Sequence, residues 1–294
     1  MLGSWKARWG VNRMRYKVCP GLRTLGSPGK DSPVLVSANY KMSFDRLRAA
    51  LAGRDAWILV LDTQGINVWC AAGKGTFGTD ELVARIEQHK LSEVVSHKTV
   101  IVPQLGAPGV SGYAVTKRTR FKVIFGPVLA ADLPAFLDAG MRATREMRRV
   151  KFDLWDRAVL VPMELVGWGK YVLPLCLLLY FAGGWIYALP GLIALLAGAV
   201  LGPLLLPYLP GRSFSAKGAW TGLACAVAAA HAARLPGMPA AAWVLIITAL
   251  SSFMTAYFTG CSTYTSLSGV RKELRFAVPL QGSAALIGLV LLFL

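Results

Sequence analysis

The sequence predicts an α/β domain followed by an all-α transmembrane domain. Its charges are unevenly distributed: residues 1–165 contain 25 Lys or Arg and 14 acidic residues, whereas residues 166–294 contain seven Lys or Arg and one acidic residue. The second part also contains long uncharged apolar stretches, and the whole chain is 55% hydrophobic. In the first part, strand-like and helix-like segments alternate, which is typical of a mostly parallel α/β sheet.

The α/β domain is expected at residues 34–150, after a basic N-terminal arm at residues 1–33. Its predicted strands are PVLVS (33–37), AWILVLD (56–62), TVIVP (99–103) and FKVIFG (121–126). Its predicted helices are SFDRLRAALAG (43–53), TDELVARIEQHKL (79–91) and LPAFLDAG (133–140). The first of these helices has Ser43 as an available N-cap and Gly53 as a stop signal.

A linker at residues 151–165 is expected to lead into the transmembrane domain, residues 166–294. A helix needs about 20 mostly apolar residues to cross the hydrocarbon core of a bilayer. Five stretches approach this length: residues 166–182, 185–208, 220–233, 240–258 and 276–294. Five consecutive stretches with almost no charge argue against the buried helices of a soluble domain.

The loops between these stretches predict the orientation. The loops after the second and fourth stretches contain two and three Lys or Arg, whereas the loop after the third contains one. The positive-inside rule places both richer loops and the α/β domain in the cytoplasm, with the C-terminus outside. We therefore expect a multi-pass protein of the cytoplasmic (inner) membrane. Because a basic face beside anionic lipid explains the net charge of +17, no nucleic-acid partner is expected.

Two loops should meet at one edge of the predicted sheet. Ligands of open α/β sheets bind in the crevice beyond the carboxyl ends of the strands. Residues 63–70 follow the second predicted strand, and residues 104–107 follow the third. We therefore expect both loops to face the same ligand crevice.

The first loop leads into GKGTFG, residues 73–78, which matches the G-x-G-x-x-G pattern of nucleotide sites. The context is poor, because Gly73 lies eleven residues beyond Asp62 and the fingerprint should begin directly after a strand. A P-loop also fails, since Val68 stands where its first glycine should be. The alternative interpretation is a membrane transport or anchoring protein with a regulatory nucleotide-binding domain. Transport predicts paired charges within the helices and internal repeats, and the sequence shows neither.

A lone cysteine, Cys70, lies in NVWCAA between the strand and those glycines. If this segment is a short helix, Asn67 is a good N-cap and Cys70 is the third helical residue. The helix dipole and the free N–H groups of the first turn would stabilise a thiolate there. A small buried hydrophobic side chain is the structural alternative, and the residues alone leave both interpretations open.

As a thiolate, Cys70 would be a ligand for a soft transition metal. The five cysteines of the chain form no CxxC pair, so a self-contained zinc or iron–sulfur site is not expected. One protein ligand cannot hold a bare ion, and a macrocycle would have to supply the other ligands. Haem and a corrinoid both meet this requirement, and composition does not decide between them.

The motif GINVWCAAGKGTFGTDELV occurs together with SPVLVSANYKMSFDRLR, PQLGAPGVSG and FTGCSTYTSLSGVRKE. In these segments the chain closely resembles the mercury-methylating corrinoid proteins of anaerobic bacteria and archaea, over about residues 16–294. Their soluble domain is in turn similar to the corrinoid domain of the corrinoid iron–sulfur protein of acetyl-CoA synthesis. The resemblance implies a Rossmann-like corrinoid-binding domain with a cap helix, followed by five transmembrane helices.

The resemblance also implies roles for individual residues. Cys70 would supply the axial thiolate to cobalt, and Asn67 would act with it in the cap helix, so both are expected to be catalytic. His89 and His97 do not lie in the cobalamin motif D-x-H-x-x-G. The expected corrinoid-binding residues are Thr63, Asn67, Val68, Trp69, Cys70, Ala71, Gly73, Gln104, Leu105, Gly106 and Ala107.

The implied activity is methyl transfer from the cobalt of a methylated corrinoid to Hg(II), which yields methylmercury. The implied partners are a small ferredoxin with two iron–sulfur clusters as electron donor, methyl-folate or its methyltransferase as methyl donor, and membrane lipid. The cysteines of the second part, Cys176, Cys225 and Cys261, are expected to pack between helices rather than to carry Hg(II).

Overall fold

The structure is a computed structural model that describes residues 2–261 and 267–294. The chain divides into two compact units. The first comprises the residues up to Ala7 together with Val11–Val150, and the second comprises Arg8–Gly10 together with Lys151–Leu294. A sheet flanked by helices forms most of the first unit, and the described residues of the second unit are largely helical. An α/β part followed by a helical part confirms the predicted order.

The first unit is built on a five-stranded mixed sheet. Its strands are β1 (Gly21–Leu25), β2 (Val34–Ala38), β3 (Ala56–Leu61), β4 (Thr99–Val102) and β5 (Lys122–Phe125). They lie in the order β1-β3-β2-β4-β5, with β1 antiparallel to β3 and the other neighbours parallel. The four predicted strands are confirmed. The sequence did not predict β1, because this short edge strand of the expected arm contains Arg23 and Thr24 and is mostly not buried.

Helices connect these strands, and the three predicted helices are all present, with shifted ends. In the residues before Lys151 they are α1 (Leu2–Arg8), α2 (Lys41–Ala50), α3 (Val68–Lys74), α4 (Thr79–Gln88), α5 (Leu91–Val94), α6 (Gly112–Thr119) and α7 (Leu133–Asp138). The expectation for Ser43 was wrong, since α2 begins two residues earlier with Tyr40 at the N-cap position. An ion pair between Lys41 Nζ and Asp45 Oδ2, 2.7 Å long, supports that first turn.

The sheet packs apolar side chains on both faces. Leu59 and Leu61 of β3 belong to one core cluster with Leu82 of α4. Ile58 belongs to the other cluster, with Leu47 of α2. This alternation follows from the two-residue period of a strand. Because both faces are covered, polar chemistry is confined to the strand ends and the loops that follow them.

The second unit is helical in its described residues. Its helices are α8 (Leu154–Ala158), α9 (Val161–Gly183), α10 (Trp185–Leu196), α11 (Gly202–Leu205), α12 (Phe214–Ala232), α13 (Gly237–Tyr257) and α14 (Leu267–Phe293). A π-helical segment, Ala197–Leu201, joins α10 to α11. Residues 154–165, expected within a linker, are therefore mostly helical.

Four helical stretches in the described residues are long and apolar enough to cross a membrane. They are Leu154–Gly183, Trp185–Leu205, Gly237–Gly260 and Ser268–Phe293. They correspond to the first, second, fourth and fifth predicted stretches. The third, α12, is helical but is not among them, because Lys217 and His231, together with its Ser, Thr and Gly residues, lower its mean hydropathy. The predicted count of five spanning helices is therefore not established.

Small residues bring α12 close to α13. A Cβ added at Gly218 would lie 2.7 Å from Ser251 O, and one added at Gly222 would lie 2.8 Å from Thr248 Cα. At the same contact, Ser251 Oγ donates a hydrogen bond to Gly218 O at 2.8 Å. Small residues and hydroxyls at helix contacts are typical of helices packed within membranes. This contact holds α12 in the helical unit despite its weaker hydrophobicity.

Candidate functional site

The predicted crevice lies at the carboxyl edge of the parallel strands. The loop leading to α3 follows β3, and the 3-10 turn Gln104–Gly106 follows β4. A Cβ added at Gly109, just past this turn, would lie 3.1 Å from Ala72 Cα of α3. In addition, Thr79 N–H donates a hydrogen bond to Gly109 O at 3.1 Å. The structure therefore brings α3 and the segment after it into contact with the segment that follows β4.

The helix α3 carries the predicted cysteine and begins as the sequence indicates. Asn67 is its N-cap, and Asn67 Oδ1 accepts a hydrogen bond from Cys70 N–H at 2.9 Å. Cys70 is the third residue of the helix. The helix ends before Gly75, whose φ of +81° is a left-handed conformation that glycine adopts without strain. The short helix and its N-cap are both confirmed.

The loop that leads into α3 is held by Asn39, which directly follows β2. Asn39 Oδ1 accepts hydrogen bonds from Thr63 N–H at 3.2 Å and from Gly65 N–H at 2.9 Å. Asn39 Nδ2 donates to Asp62 Oδ1 at 2.9 Å. The side chain is 1% exposed, so these bonds are shielded from water. A buried, satisfied network of this kind fixes the path of the loop.

The predicted site residues differ in how much of them a ligand could reach. Asn67, Val68, Trp69, Cys70, Gln104, Leu105 and Ala107 are half-buried, Gly73 is exposed, and Thr63, Ala71 and Gly106 are buried. The Thr63 hydroxyl lies 2.8 Å from Asn39 Oδ1 and 2.7 Å from Ile66 O, and donates to one of them. Thr63 thus supports the loop from inside. The first turn of α3 and the 3-10 turn after β4 offer the accessible side chains.

Gln104 provides a hydrogen-bond acceptor that the described residues do not use. Its Oε1 is buried and has no hydrogen-bond partner among them. Leaving a buried acceptor unsatisfied costs about 1–3 kcal/mol. Because Gln104 lies two residues beyond the end of β4, a ligand with N–H donors at the carboxyl edge of the sheet would relieve this cost.

Cys70 is a half-buried free thiol. Within residues 2–261 and 267–294, no group of three or more His, Cys, Asp or Glu could hold a metal ion. A metal bound at Cys70 would therefore find no two further His, Cys, Asp or Glu side chains among the described residues to complete its ligand set. Of the other thiols, Cys19 is exposed in the first unit, and Cys176 and Cys225 lie in α9 and α12. The side chain of Cys261 lies outside the described part of the chain.

The two histidines of the first unit lie elsewhere in the fold, and only His97 has hydrogen-bond partners among the described residues. His97 Nε2 lies 2.9 Å from Ser32 O, and His97 Nδ1 accepts a hydrogen bond from Thr99 N–H at 3.3 Å. Thr99 begins β4, so His97 lies at the amino edge of the sheet, opposite α3. His89 follows α4, and its Nε2 lies 3.1 Å from the position of a Cβ added at Gly21 of β1. The position of His97 excludes it as a ligand to a metal at Cys70.

The glycines of GKGTFG shape the connection from α3 to α4. Gly78 is the N-cap residue of α4, and a Cβ added there would lie 2.8 Å from Gly75 O. Neither glycine follows a strand. Asp80 and Glu81 lie in the first turn of α4, where their negative charges oppose the binding of a phosphate. The pattern therefore has a conformational explanation, and the geometry gives no support to nucleotide binding.

Two ion pairs stabilise this unit, one beside the crevice and one at the opposite edge of the sheet. Glu81 Oε1 accepts a hydrogen bond from Asp62 N–H at 2.8 Å and pairs with Arg85 Nε at 2.7 Å, which ties α4 to the loop after β3. Hydrogen bonds from Arg54 lower the pKa of Asp138 below its ordinary value. Arg54 precedes β3, so this exposed pair lies at the amino edge of the sheet.

Sequence comparison connects this sheet and its loops with known proteins. Residues 12–137 match the family model described as "CO dehydrogenase/acetyl-CoA synthase delta subunit". The matched segment includes β1 to β5 and α3, and it ends before the helices of the second unit.

Individual relatives match the same part of the chain. The gamma subunit of the acetyl-CoA decarbonylase/synthase complex of Archaeoglobus fulgidus is 31% identical over 128 residues, which are 43% of this chain and 27% of the relative. The corresponding subunit of Methanopyrus kandleri is 32% identical over 128 residues, with the same shares of 43% and 27%. That of Methanosarcina acetivorans is 33% identical over 130 residues, or 43% of this chain and 27% of the relative. The chain thus spans roughly a quarter of the length of these relatives.

Two residues that support the site were not anticipated from the sequence. Asn39 directly follows the apolar run of β2, and a polar residue at the carboxyl end of a buried strand is a recognisable signal. Glu81 had no such signal, because its bond to Asp62 depends on how α4 folds back against β3.

Proposed function

We propose that residues 34–150 form a Rossmann-like corrinoid-binding domain and that the protein performs corrinoid-dependent methyl transfer. The observation that carries this proposal is the position of Cys70, which lies in the first turn of a short helix at the carboxyl edge of the sheet. The match of residues 12–137 to the delta-subunit family model supports it. The resemblance to corrinoid proteins of mercury methylation and of acetyl-CoA synthesis supplies the cofactor class.

The residues at this edge of the sheet fit a corrinoid. Its metal requires one soft ligand from the protein, and Cys70 offers a half-buried thiol there. The amide groups around a corrin carry N–H donors, and Gln104 Oε1 is a buried acceptor without a donor. Gly73 and Gly75 have no neighbours within 4 Å of an added Cβ, so this end of α3 leaves room for a large ring.

In this proposal several residues in and around α3 have distinct tasks. Cys70 would hold the cobalt of the corrinoid through its thiolate. Asn67 holds the first turn of α3, and Asn39 fixes the loop before it, so the sulfur is presented in one orientation. The half-buried side chains of Trp69 and Leu105 would shield the site from water. When bound, the corrinoid supplies a metal centre that can carry a methyl group.

We further propose that Hg(II) accepts the methyl group and that methylmercury is the product. The support is the motif NVWCAAGK, which is intact at residues 67–74. The Cys70 thiolate would enrich the metal in electrons, as a cysteine ligand does for haem iron, and so favour methyl transfer to electrophilic Hg(II), by a carbanion-like or a radical route. From the same resemblance we propose a ferredoxin with two iron–sulfur clusters as electron donor and methyl-folate or its methyltransferase as methyl donor.

The experiment is a mercury-methylation assay on the full-length protein with the Cys70→Ala variant. Cys19→Ala is the matched control, because it removes an exposed thiol from the same unit. We expect Cys70→Ala to lose activity at least about 100-fold and Cys19→Ala to retain it, with unchanged circular dichroism for both. Activity retained in Cys70→Ala would refute the axial role. If the wild-type protein binds a corrinoid but does not methylate Hg(II), only the proposal that Hg(II) is the substrate is refuted.

We also propose that the second unit spans the cytoplasmic membrane, with the first unit in the cytoplasm and the C-terminus outside. Four helical stretches have the required length and apolarity, and α12 would be the fifth span. Single cysteines introduced by Lys272→Cys and Leu294→Cys, in a background without native cysteines, can be labelled in intact cells with a membrane-impermeant maleimide. We expect position 294 to be labelled directly and position 272 only after permeabilisation. The reverse pattern would contradict the orientation.

A further inference from the structure

The second unit contains a cavity that the proposed function does not use. It has a volume of about 700 Å³ and is lined by residues of α12, α13 and α14. Arg212 and Lys272 line it near the beginnings of α12 and α14. Ala219, Phe276 and Leu280 line it one to two turns further along the same helices. The cavity therefore has a cationic end and an apolar wall.

Hydrogen bonds between the three helices fix the walls of this cavity. Glu273 Oε1 of α14 accepts a hydrogen bond from Ser215 N–H of α12 at 2.7 Å. Gln281 Nε2 of α14 donates to Ser252 Oγ of α13 at 2.7 Å, and Ser252 Oγ donates to Ser215 O at 2.8 Å. These bonds are buried or partly buried, so the cavity is formed before any ligand arrives.

The cavity lining holds one carboxylate, that of Glu273, beside the two cations Arg212 and Lys272, so its net charge is positive. In the described residues neither Arg212 nor Lys272 forms an ion pair, and both side chains are exposed. Glu273 directs its charge to the first turn of α12, where the helix dipole stabilises it. Lys217 donates instead to the carbonyls of Leu206 and Leu209. Two cations therefore remain available to one anion.

We propose that this cavity binds an anionic phospholipid. Its headgroup phosphate pairs with Arg212 and Lys272, and an acyl chain lies along Ala219, Phe276 and Leu280. Guanidinium and ammonium groups are common phosphate partners, and basic pockets between membrane helices on the cytoplasmic side bind lipid headgroups. Phe276 is 68% and Leu280 72% exposed, which leaves an apolar surface continuous with the cavity. The proposal rests on the proposed membrane insertion of the second unit.

A second copy of the chain is a less suitable occupant. In a two-fold symmetric dimer the same patch would be contributed by both copies. Both copies would then bring the cations Arg212 and Lys272 into one interface, where their net positive charges repel. A phospholipid supplies both the missing negative charge and the apolar chain.

The test is native mass spectrometry of the full-length protein in detergent with added phosphatidylglycerol or phosphatidylcholine. The variant Arg212→Gln/Lys272→Gln removes both cavity cations, and Arg271→Gln/Arg275→Gln removes two cations of α14 that do not line the cavity. We expect wild type and the control to retain phosphatidylglycerol in preference to phosphatidylcholine. The cavity variant should bind phosphatidylglycerol about 30-fold more weakly, at about 1 kcal/mol per cation. Equal binding by the two double variants would refute the site.

A second variant, Ala219→Phe, fills the apolar wall while leaving both cations in place. Reduced retention of phosphatidylglycerol supports the acyl-chain position, and unchanged retention contradicts it. Displacement of the lipid by inorganic phosphate, or a dimer that excludes lipid, would also overturn the proposal. A protein that stays dispersed without detergent would instead refute membrane insertion itself, so the two failures can be told apart.

Discussion

The two units use buried polar residues in different ways. In the first unit, Asn39 and Asn67 fix a loop and a helix start, and the arrangement ends at two groups with unused capacity, the Cys70 thiol and Gln104 Oε1. In the second unit, Ser251 Oγ and Thr255 Oγ1 donate to carbonyls of neighbouring helices at 2.8 and 3.0 Å. The first set of hydrogen bonds positions the start of α3, and the second joins neighbouring helices. An unpartnered buried atom does not by itself separate the units, since Thr248 Oγ1 and Gln281 Oε1 of the second unit also lack partners among the described residues. The first unit differs in the half-buried thiol at the start of α3.

The largest expected effect on folding comes from Asn39, which joins β2 to the loop after β3. Asn39→Ala leaves the N–H groups of Thr63 and Gly65 without an acceptor, and we expect a loss of about 3 kcal/mol in the stability of the first unit. Hydrogen exchange of peptides from β2 and β3 measures this loss. Gln64→Asn is the control, because it changes an exposed side chain of the same loop. A change below about 0.5 kcal/mol for Asn39→Ala would show that the network does not hold the loop.

A substitution in the second unit tests whether its small residues serve packing alone. Gly222→Leu places a side chain where an added Cβ is already 2.8 Å from Thr248 Cα, and overpacking of this kind costs about 2 kcal/mol. We expect faster hydrogen exchange in α12 and α13 with unchanged corrinoid binding by the first unit. Gly282→Leu is the control, because nothing lies within 4 Å of a Cβ added there. Loss of corrinoid binding in Gly222→Leu would contradict the claim that helix packing in the second unit is independent of ligand binding by the first.

The N-cap of α3 should have a smaller effect. Asn67→Ala removes the hydrogen bond from Cys70 N–H, and loss of such a cap costs about 1 kcal/mol. We expect faster hydrogen exchange confined to α3. Ser43→Ala is the matched control, since Ser43 does not cap α2, and it should leave exchange in α2 unchanged. Equal effects of the two substitutions would show that the Asn67 cap does not stabilise α3.

The smallest effect is expected at the exposed pair of Arg54 and Asp138. Because the folded state lowers the pKa of Asp138 below its ordinary 3.8, the pair stabilises the fold above that pH and loses this contribution as pH falls through the lowered value. Asp138→Asn should therefore lower Tm slightly at pH 7 and have no effect once the carboxyl is protonated. Glu87→Gln, at an exposed position of α4, is the control. If the difference in Tm between wild type and Asp138→Asn grew toward low pH, the predicted direction of the pH dependence would be wrong.

Much of the first unit was predictable because its signals are local. The apolar runs of β2, β3 and β4 are almost wholly buried, β5 is a short apolar edge strand, and Asn67 three residues before Cys70 is a recognisable N-cap. The edge strand β1 was missed, since its pairing with β3 lends it stability that its own composition does not show. Ser43 was misjudged for a related reason: α2 starts at Lys41, where the ion pair with Asp45 favours an earlier turn.

The second unit was predictable in outline and less so in detail. Length and hydropathy identify four spans, but α12 depends on close contacts of Gly218 and Gly222 with α13, which composition does not reveal. The cavity with Arg212 and Lys272 depends on helices that are far apart in sequence. Contacts of this kind are set by tertiary packing, so a single sequence does not show them.

The measurement that tests the account most directly is the visible absorption spectrum of the corrinoid bound to the full-length protein. Ligation of cobalt by Cys70 predicts that wild type and Cys19→Ala shift the spectrum of added cobalamin in the same way. Cys70→Ala should lack that shift, whether or not it still retains the corrinoid. A Cys70→Ala protein that binds cobalamin with the wild-type spectrum would contradict the assignment of Cys70 as the axial ligand.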